Sequence, residues 1–372
     1  MKITDIKIAY FKSVEYQGEL EPAWSPGQKM KFDSGGGSAV EIHTDEGLKG
    51  IGPAPNEDLL DAIKNYLIGK DPLTIERHYS ELKYRIPGMP YGGTAGIDIA
   101  LWDIVGKLAG LPLHKLWGGN KSKITPYASM IVLSNPSERA DLARQLCDEG
   151  WKAIKLRLHH ESLEDDIKTV QTVKDAVGDK MTIMVDANQA QSNGRYQPGV
   201  VWDYKRAVDT ARILQDLGVY WLEEPLTRYD FKNLARLNDL VELQIAGGEN
   251  NRVMNDFIQM AELNCYDVFQ PESMVLDGIT PLRKIGMLAE LYGKRVIPHH
   301  GGGNIGVIAH MHLVASWDHA PFIELLHDPP VGHYKHKFAI FENAPLVENG
   351  IISVPDKPGL GVELNEDLIL SR

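Results

Sequence analysis

Cysteine is scarce: Cys147 and Cys265 are the only two in 372 residues. Two thiols that far apart exclude a disulfide framework and a zinc cage, and they fit a reducing compartment. No apolar run approaches the roughly 18 residues that a membrane span requires. The N-terminal stretch MKITDIKIAYFKS alternates like a strand and lacks the apolar block of a signal peptide. A cytoplasmic location without a membrane partner is therefore expected. Basic charge is in short supply too, since 39 Lys and Arg face 51 Asp and Glu for a net charge of −12. Without a basic stripe to meet a phosphate backbone, no nucleic acid partner is expected. Most of the acidic excess reads as solvated helix surface.

What is present suffices for a large core, with 43% hydrophobic and 24% charged residues. The length suits a barrel of about 250 residues plus a smaller partner. Lys2 to Phe11 reads as a strand. Residues 15–36 are polar, marked by Pro and Gly, and hold an isolated Trp24; they read as a mobile loop covering the barrel mouth. Ala39 to His43 and Leu48 to Gly52, joined by Asp45-Glu46-Gly47, read as a hairpin. Helical spacing then runs through 57–118, closing an α+β capping domain over residues 1–123.

From Thr125 the pattern changes to short apolar runs separated by amphipathic helices. The runs are 125–131, 153–158, 181–186, 219–223, 243–247, 266–270, 295–298 and 321–325. Parallel strands need crossover helices, and eight of them close, so residues 124–345 are expected to form a (β/α)8 TIM-type barrel. The last segment, 346–372, is expected to return to the capping domain, beginning around Ile351 to Val354.

Function in such a barrel sits at the C-terminal strand ends. Those ends read Lys155 and Arg157, Asp186 and Asn188, Glu223, Glu249, Glu272, His299 and Glu324. Any one of them alone reads as a surface residue. So many carboxylates converging on one mouth would repel each other unless a cation joined them. Asp186, Glu223 and Glu249 come from consecutive strands and offer oxygen to a hard ion, for which Mg2+ is the natural candidate. Strand alternation favours Glu223 over Glu224, which would face the helix layer.

VDAN at 185–188, LEEP at 222–225 and GGEN at 247–250 resemble the three metal-ligand motifs of the enolase superfamily, in its mandelate racemase-like branch. AGIDIALWDIVGKLAGLPLHKLWGG at 95–119 resembles that branch's capping-domain signature, and VPDKPGLGVEL at 354–364 its closing strand. The resemblance covers nearly the whole chain. It implies abstraction of the proton α to a carboxylate, with a metal stabilising the resulting enediolate. It further implies that Glu324 stays protonated to donate to the second carboxylate oxygen, which would need a raised pKa. The family assembles into dimers and octamers, so a homo-oligomer is expected.

The strand-two motif is normally Lys-x-Lys, with the second lysine a base. Here it reads Lys155-Leu156-Arg157. Arginine stays protonated, which makes Arg157 a poor base and a good carboxylate clamp. His299 matches the family's catalytic histidine, with Glu272 where the branch normally has Asp; His300 is expected to point away. The stretch FQPES lacks the strand-six lysine of cycloisomerases and dipeptide epimerases, which disfavours both. The reading is an acid-sugar dehydratase acting on a small carboxylate substrate, with His299, Glu272, Lys155 and Glu324 catalytic. Trp24, Arg157, Asn188 and Asn250 are the candidate substrate contacts, and Asn188, Gln189, Asn250 and Asn251 read equally well as helix caps. Two alternatives stand beside it: a two-base racemase or epimerase of a hydroxy acid using Lys155, and a non-catalytic member that keeps the barrel for binding.

Overall fold

The computed structural model describes residues 1–86 and 92–372; part of the predicted helical stretch, residues 87–91, lies outside them. The capping domain is built on a four-stranded antiparallel sheet in the order Ile369–Ser371, Ile3–Phe11, Ser38–Thr44 and Lys49–Pro53. Helices Leu60–Leu67, Ile75–Arg85 and Ala95–Ala109 cover one face. The third helix lies almost against the backbone of the last strand. A Cβ on Gly52 would stand 2.0 Å from the Gly96 carbonyl oxygen, and one on Gly96 would stand 1.6 Å from that of Pro53, so only glycine permits the approach.

Two buried carboxylates on that helix tie the molecule together. Asp98 accepts from the Thr280 amide at 2.9 Å and its hydroxyl at 2.6 Å, joining the cap to a barrel helix. Asp103 accepts from the amides of Ile51 at 3.0 Å and Leu360 at 2.8 Å, joining a capping strand to the C-terminal segment.

Eight parallel strands follow: Lys123–Ser129, Ala153–Arg157, Thr182–Asp186, Trp221–Glu223, Gln244–Gly247, Val268–Phe269, Arg295–Val296 and Phe322–Leu326. Each pairs with its neighbour through strand seven, and strand eight pairs back with strand one, Ser129 opposite Leu326. At the seam between strands seven and eight, the Val296 amide donates to the His319 carbonyl at 3.3 Å. This is the expected (β/α)8 barrel. Among the described residues, no helix is long and apolar enough to cross a membrane.

Alternation divides the barrel interior into layers. Tyr127, Ala153, Met184, Trp221, Ala246, Val268 and Ile297 form one apolar cluster inside it. Because side chains repeat every second residue, the next inward positions toward the C-terminal ends are Ser129, Lys155, Asp186, Glu223, Gln270 and His299. An apolar plug therefore supports a polar floor.

Two segments differ from expectation. The stretch 15–36 is not an irregular loop: Ser13–Leu20 and Met30–Gly35 pair as an antiparallel hairpin. It docks on the loop after strand eight, where a Cβ on Gly332 would meet Leu20 at 3.1 Å and one on Gly18 would meet Val331 at 3.2 Å. Nor does Ile351–Ser353 return to the cap. It pairs antiparallel with barrel strand one, and the chain reaches the capping sheet only at Ile369–Ser371.

Candidate active site

The register brings the strand ends together. Arg157 lies opposite Asp186, and Asp186 opposite Glu223. Carboxylate oxygens of Asp186, Glu223 and Glu249 lie within 4.8 Å of one another, and all three residues are buried. Each is held by further bonds. Glu223 accepts from Trp221 Nε1 at 3.1 Å and Gln270 Nε2 at 2.7 Å. Asp186 accepts from the Asn188 amide at 2.8 Å, and Glu249 from Asn250 Nδ2 at 3.1 Å.

Burial, with the neighbouring carboxylates, raises the pKa of Glu223 and Glu249. Three buried, mutually repelling oxygen donors fit a hard divalent cation, which would favour the charged form of Glu223 and Glu249.

Glu224 is not among those donors, but it does not face the helix layer either. The strand ends at Glu223, and Glu224 takes a left-handed φ of 46°. Its buried carboxylate accepts from Asn250 Nδ2 at 3.1 Å and is raised well above the carboxylate range by burial and by Glu249 and Asp186. The left-handed turn breaks the alternation on which the expectation rested.

Lys155 is fully buried, its Nζ lying 2.8 Å from Glu223, 2.9 Å from Glu324 and 3.6 Å from Asp186. Burial works against its charge, yet these carboxylates outweigh it and raise its pKa. Glu324 differs from the raised pKa that the resemblance implied. Burial alone would push it up, but Lys155, His299 and His300 hold Glu324 below the usual carboxylate range.

His299 differs from Lys155 in access. Its Nδ1 lies 2.8 Å from Glu272 Oε2 and its Nε2 lies 3.1 Å from Glu249 Oε2. Glu272 also accepts from the amides of Gly301 at 2.9 Å and Met274 at 2.8 Å, which fixes its carboxylate. Burial disfavours the imidazolium, but Glu249, Glu324 and Glu272 raise it to about 10.

A cavity of about 320 Å³ opens over this floor. Trp24, Arg157, Asn188, Glu249, Asn250, Glu272 and His299 all line it, and Lys155 does not. Arg157 donates to Asp186 and, at 3.1 Å, to Asn188, and its guanidinium stacks 4.7 Å from the Trp24 ring. The carboxylate it clamps here thus belongs to the protein. Gln189 and Asn251 serve the scaffold: Gln189 bonds the backbone at Ala187 and Trp202, and Asn251 bonds Asp256.

His300 does not point away. It lines the cavity with its ring centroid 4.1 Å from that of His299, and its buried Nδ1 has no partner. Gln191, Met274 and Leu326 also line the cavity; the first two lie beyond the strand ends on which the sequence reading relied, and Leu326 closes strand eight one residue past the predicted run. Gln270, the Glu223 partner, stands at an inward strand-six position that alternation alone would have picked out.

Kinship agrees with this geometry. Residues 37–118 match the mandelate racemase / muconate lactonizing enzyme N-terminal domain, and residues 138–368 match the enolase C-terminal domain-like family. The chain belongs to this family, within the enolase superfamily. It is 31% identical to arabinonate dehydratase of Saccharolobus solfataricus, covering 88% of each chain. It is 29% identical to D-galactarolactone cycloisomerase of Agrobacterium fabrum, over 91% of this chain and 92% of that one. The L-talarate/galactarate dehydratase of Salmonella typhimurium LT2, solved with Mg and L-lyxarohydroxamate, superposes with a TM-score of 0.82 at 26% identity, over 99% of this chain and 92% of that one. Dehydratase, cycloisomerase and racemase names all occur among relatives. Family membership therefore leaves the reaction class open, and it lends no support to setting cycloisomerases aside.

Proposed function

We propose that this family member is a magnesium-dependent acid-sugar dehydratase with His299 as its base. One observation carries the reading: of the two groups suited to take a proton, His299 lines the cavity and Lys155 does not. A racemase needs a second base facing the substrate, and the amine at that position is buried against Glu223 and Glu324. A dehydratase needs only one.

Asp186, Glu223 and Glu249 would hold the metal, as their spacing allows. A divalent cation bound there supplies positive charge that lowers the cost of negative charge developing on the substrate carboxylate. With the charge of Glu249 taken up by the cation, Nε2 would be released from its ion pair there and the imidazole would lose the largest influence raising its pKa. Glu272 keeps Nδ1–H, which leaves the Nε2 lone pair to take the α-proton. The C–H electron pair moves into the enediolate and then expels the β-hydroxyl. The imidazolium returns its proton to that leaving group, releasing water, and the enol tautomerises to a 2-keto-3-deoxy acid. Lys155 keeps its proton and offsets the carboxylates of the floor, while Arg157, Asn188, Asn250 and Trp24 shape the seat for the hydroxylated chain.

The direct experiment is a screen of acid sugars with magnesium for 2-keto-3-deoxy acid formation. Product from at least one acid, dependent on His299, supports the reading. Inversion of configuration without loss of water would transfer the enzyme to the racemase class, and isomerisation of a lactone or cyclic ether to an open-chain acid, with no water gained or lost, would make it a cycloisomerase.

A further inference from the structure

Beside the cavity over the acidic floor lies a second chamber of about 230 Å³. Trp24, Met30, His300, Gly302 and Leu326 line both, so the two chambers adjoin. The chambers differ in charge. Glu249 and Glu272 line the first together with Arg157. No carboxylate is among the described residues lining the second, where the charge comes from Lys31 of the docked hairpin and Lys337 of the short helix Lys335–Phe338.

Neither lysine is neutralised by an acid among the described residues. The acid opposite Lys31 in the hairpin is Glu19, and its carboxylate turns instead to Lys29 at 3.5 Å. Lys337 extends over Gly303, where a Cβ would stand 3.5 Å from its Cγ. His333 also lines this chamber, but burial lowers its pKa to about 4, so it is a neutral group at pH 7. The rest of the lining is largely apolar, including Phe32, Val307, Leu325 and Phe338. Two exposed lysines thus edge a largely apolar chamber without an acid to pair them, which makes its rim attractive to an anion.

We propose that this second chamber receives a second carboxylate, at the far end of the substrate, so that the preferred substrate is a diacid sugar. The inference rests on the dehydratase reading for the seat of the first carboxylate. The metal end takes one terminus, the aromatic wall at Trp24 packs on the C–H face of the chain, and Lys31 and Lys337 donate to the other terminus. A monoacid sugar of the same configuration presents a neutral hydroxymethyl group there and gains no charge-assisted bond.

The test is calorimetric binding, with magnesium present, of pentaric and hexaric acids, each paired with the aldonic acid of the same configuration. For the best-bound pair, the diacid should bind about tenfold more tightly, as expected for hydrogen bonds to charged groups at a partly exposed site. In the double variant Lys31→Met/Lys337→Met that ratio should fall to about twofold or less, while Lys335→Met, on the same helix but off the lining, should keep it. Equal binding within every pair, a preference that survives the double variant, or no binding at all would overturn the proposal. Product assays on the same pairs separate the two claims. A lysine-dependent diacid preference without 2-keto-3-deoxy product would sink the dehydratase reading alone. Dehydration of aldonic acids with no diacid preference would sink this inference alone.

Discussion

Strand two brings Lys155 and the end of strand seven brings His299 to the same acidic floor, and the two groups are treated differently. Lys155 has no exposed surface, and three carboxylates surround its amine. His299 keeps 20% of its side chain exposed, with one ring nitrogen fixed by Glu272 and the other toward the cavity beside Glu249. A group enclosed by counter-charges stabilises them and holds its proton. One anchored at Nδ1 and partly exposed to the cavity can exchange a proton with a ligand once Glu249 is engaged by the cation. The difference in access, more than residue type, assigns base chemistry to strand seven and charge balance to strand two.

The largest effect should come from the floor that both groups serve. Asp186→Ala, Glu223→Ala and Glu249→Ala are each expected to lower turnover by about 10⁴-fold or more, since metal charge and preorganised electrostatics carry most of such a barrier. Circular dichroism should show a folded barrel, and calorimetry should show lost magnesium binding. Turnover that survived all three would break the comparison at its root.

Next in size, His299→Asn should reduce dehydration by about 10³-fold, within the range for losing a general base, with little change in thermal stability. Lys155→Met should do the reverse. Leaving Glu223 and Glu324 buried without their partner should lower stability by about 3 kcal/mol. Chemical denaturation should show a smaller loss in saturating magnesium, because the cation offsets part of the exposed negative charge. If Lys155→Met were as stable as the parent protein, the charge-balance role would be wrong.

Smaller again, Glu272→Gln is expected to slow turnover about tenfold by loosening the imidazole. It also removes an anion that raises the His299 pKa. His299 acts unprotonated, so activity rises with pH through its pKa. With that pKa lowered, the acid limb of the kcat/KM profile should move to lower pH. An unmoved limb would mean that Glu272 does not act through His299.

The parts of this arrangement that were readable in the sequence are those governed by short-range rules. Apolar runs marked the eight strands, and strand alternation set Asp186 and Glu223 inward above the apolar layer of Met184 and Trp221. What was not readable depends on backbone irregularity or on contacts remote in sequence. Glu224 escapes alternation through its left-handed φ. The segment around Trp24 lacks a strand pattern because its first strand, Ser13–Leu20, has no buried face, and it gains order by docking near Val331 and Gly332. The lowered pKa of Glu324 is due chiefly to Lys155, which lies 169 positions earlier in the chain and 2.9 Å away in space. His300 shows that two adjacent residues beyond a strand end can face one cavity once the extended backbone has ended.

The measurement that bears most directly on the division between the two strands is solvent deuterium incorporation at the α-carbon of a turned-over acid sugar. It should be followed by mass spectrometry with magnesium, in the His299→Asn and Lys155→Met variants. The account predicts that exchange disappears in His299→Asn and remains measurable in Lys155→Met. Exchange that persisted in His299→Asn and vanished in Lys155→Met would contradict it and make the buried lysine the base.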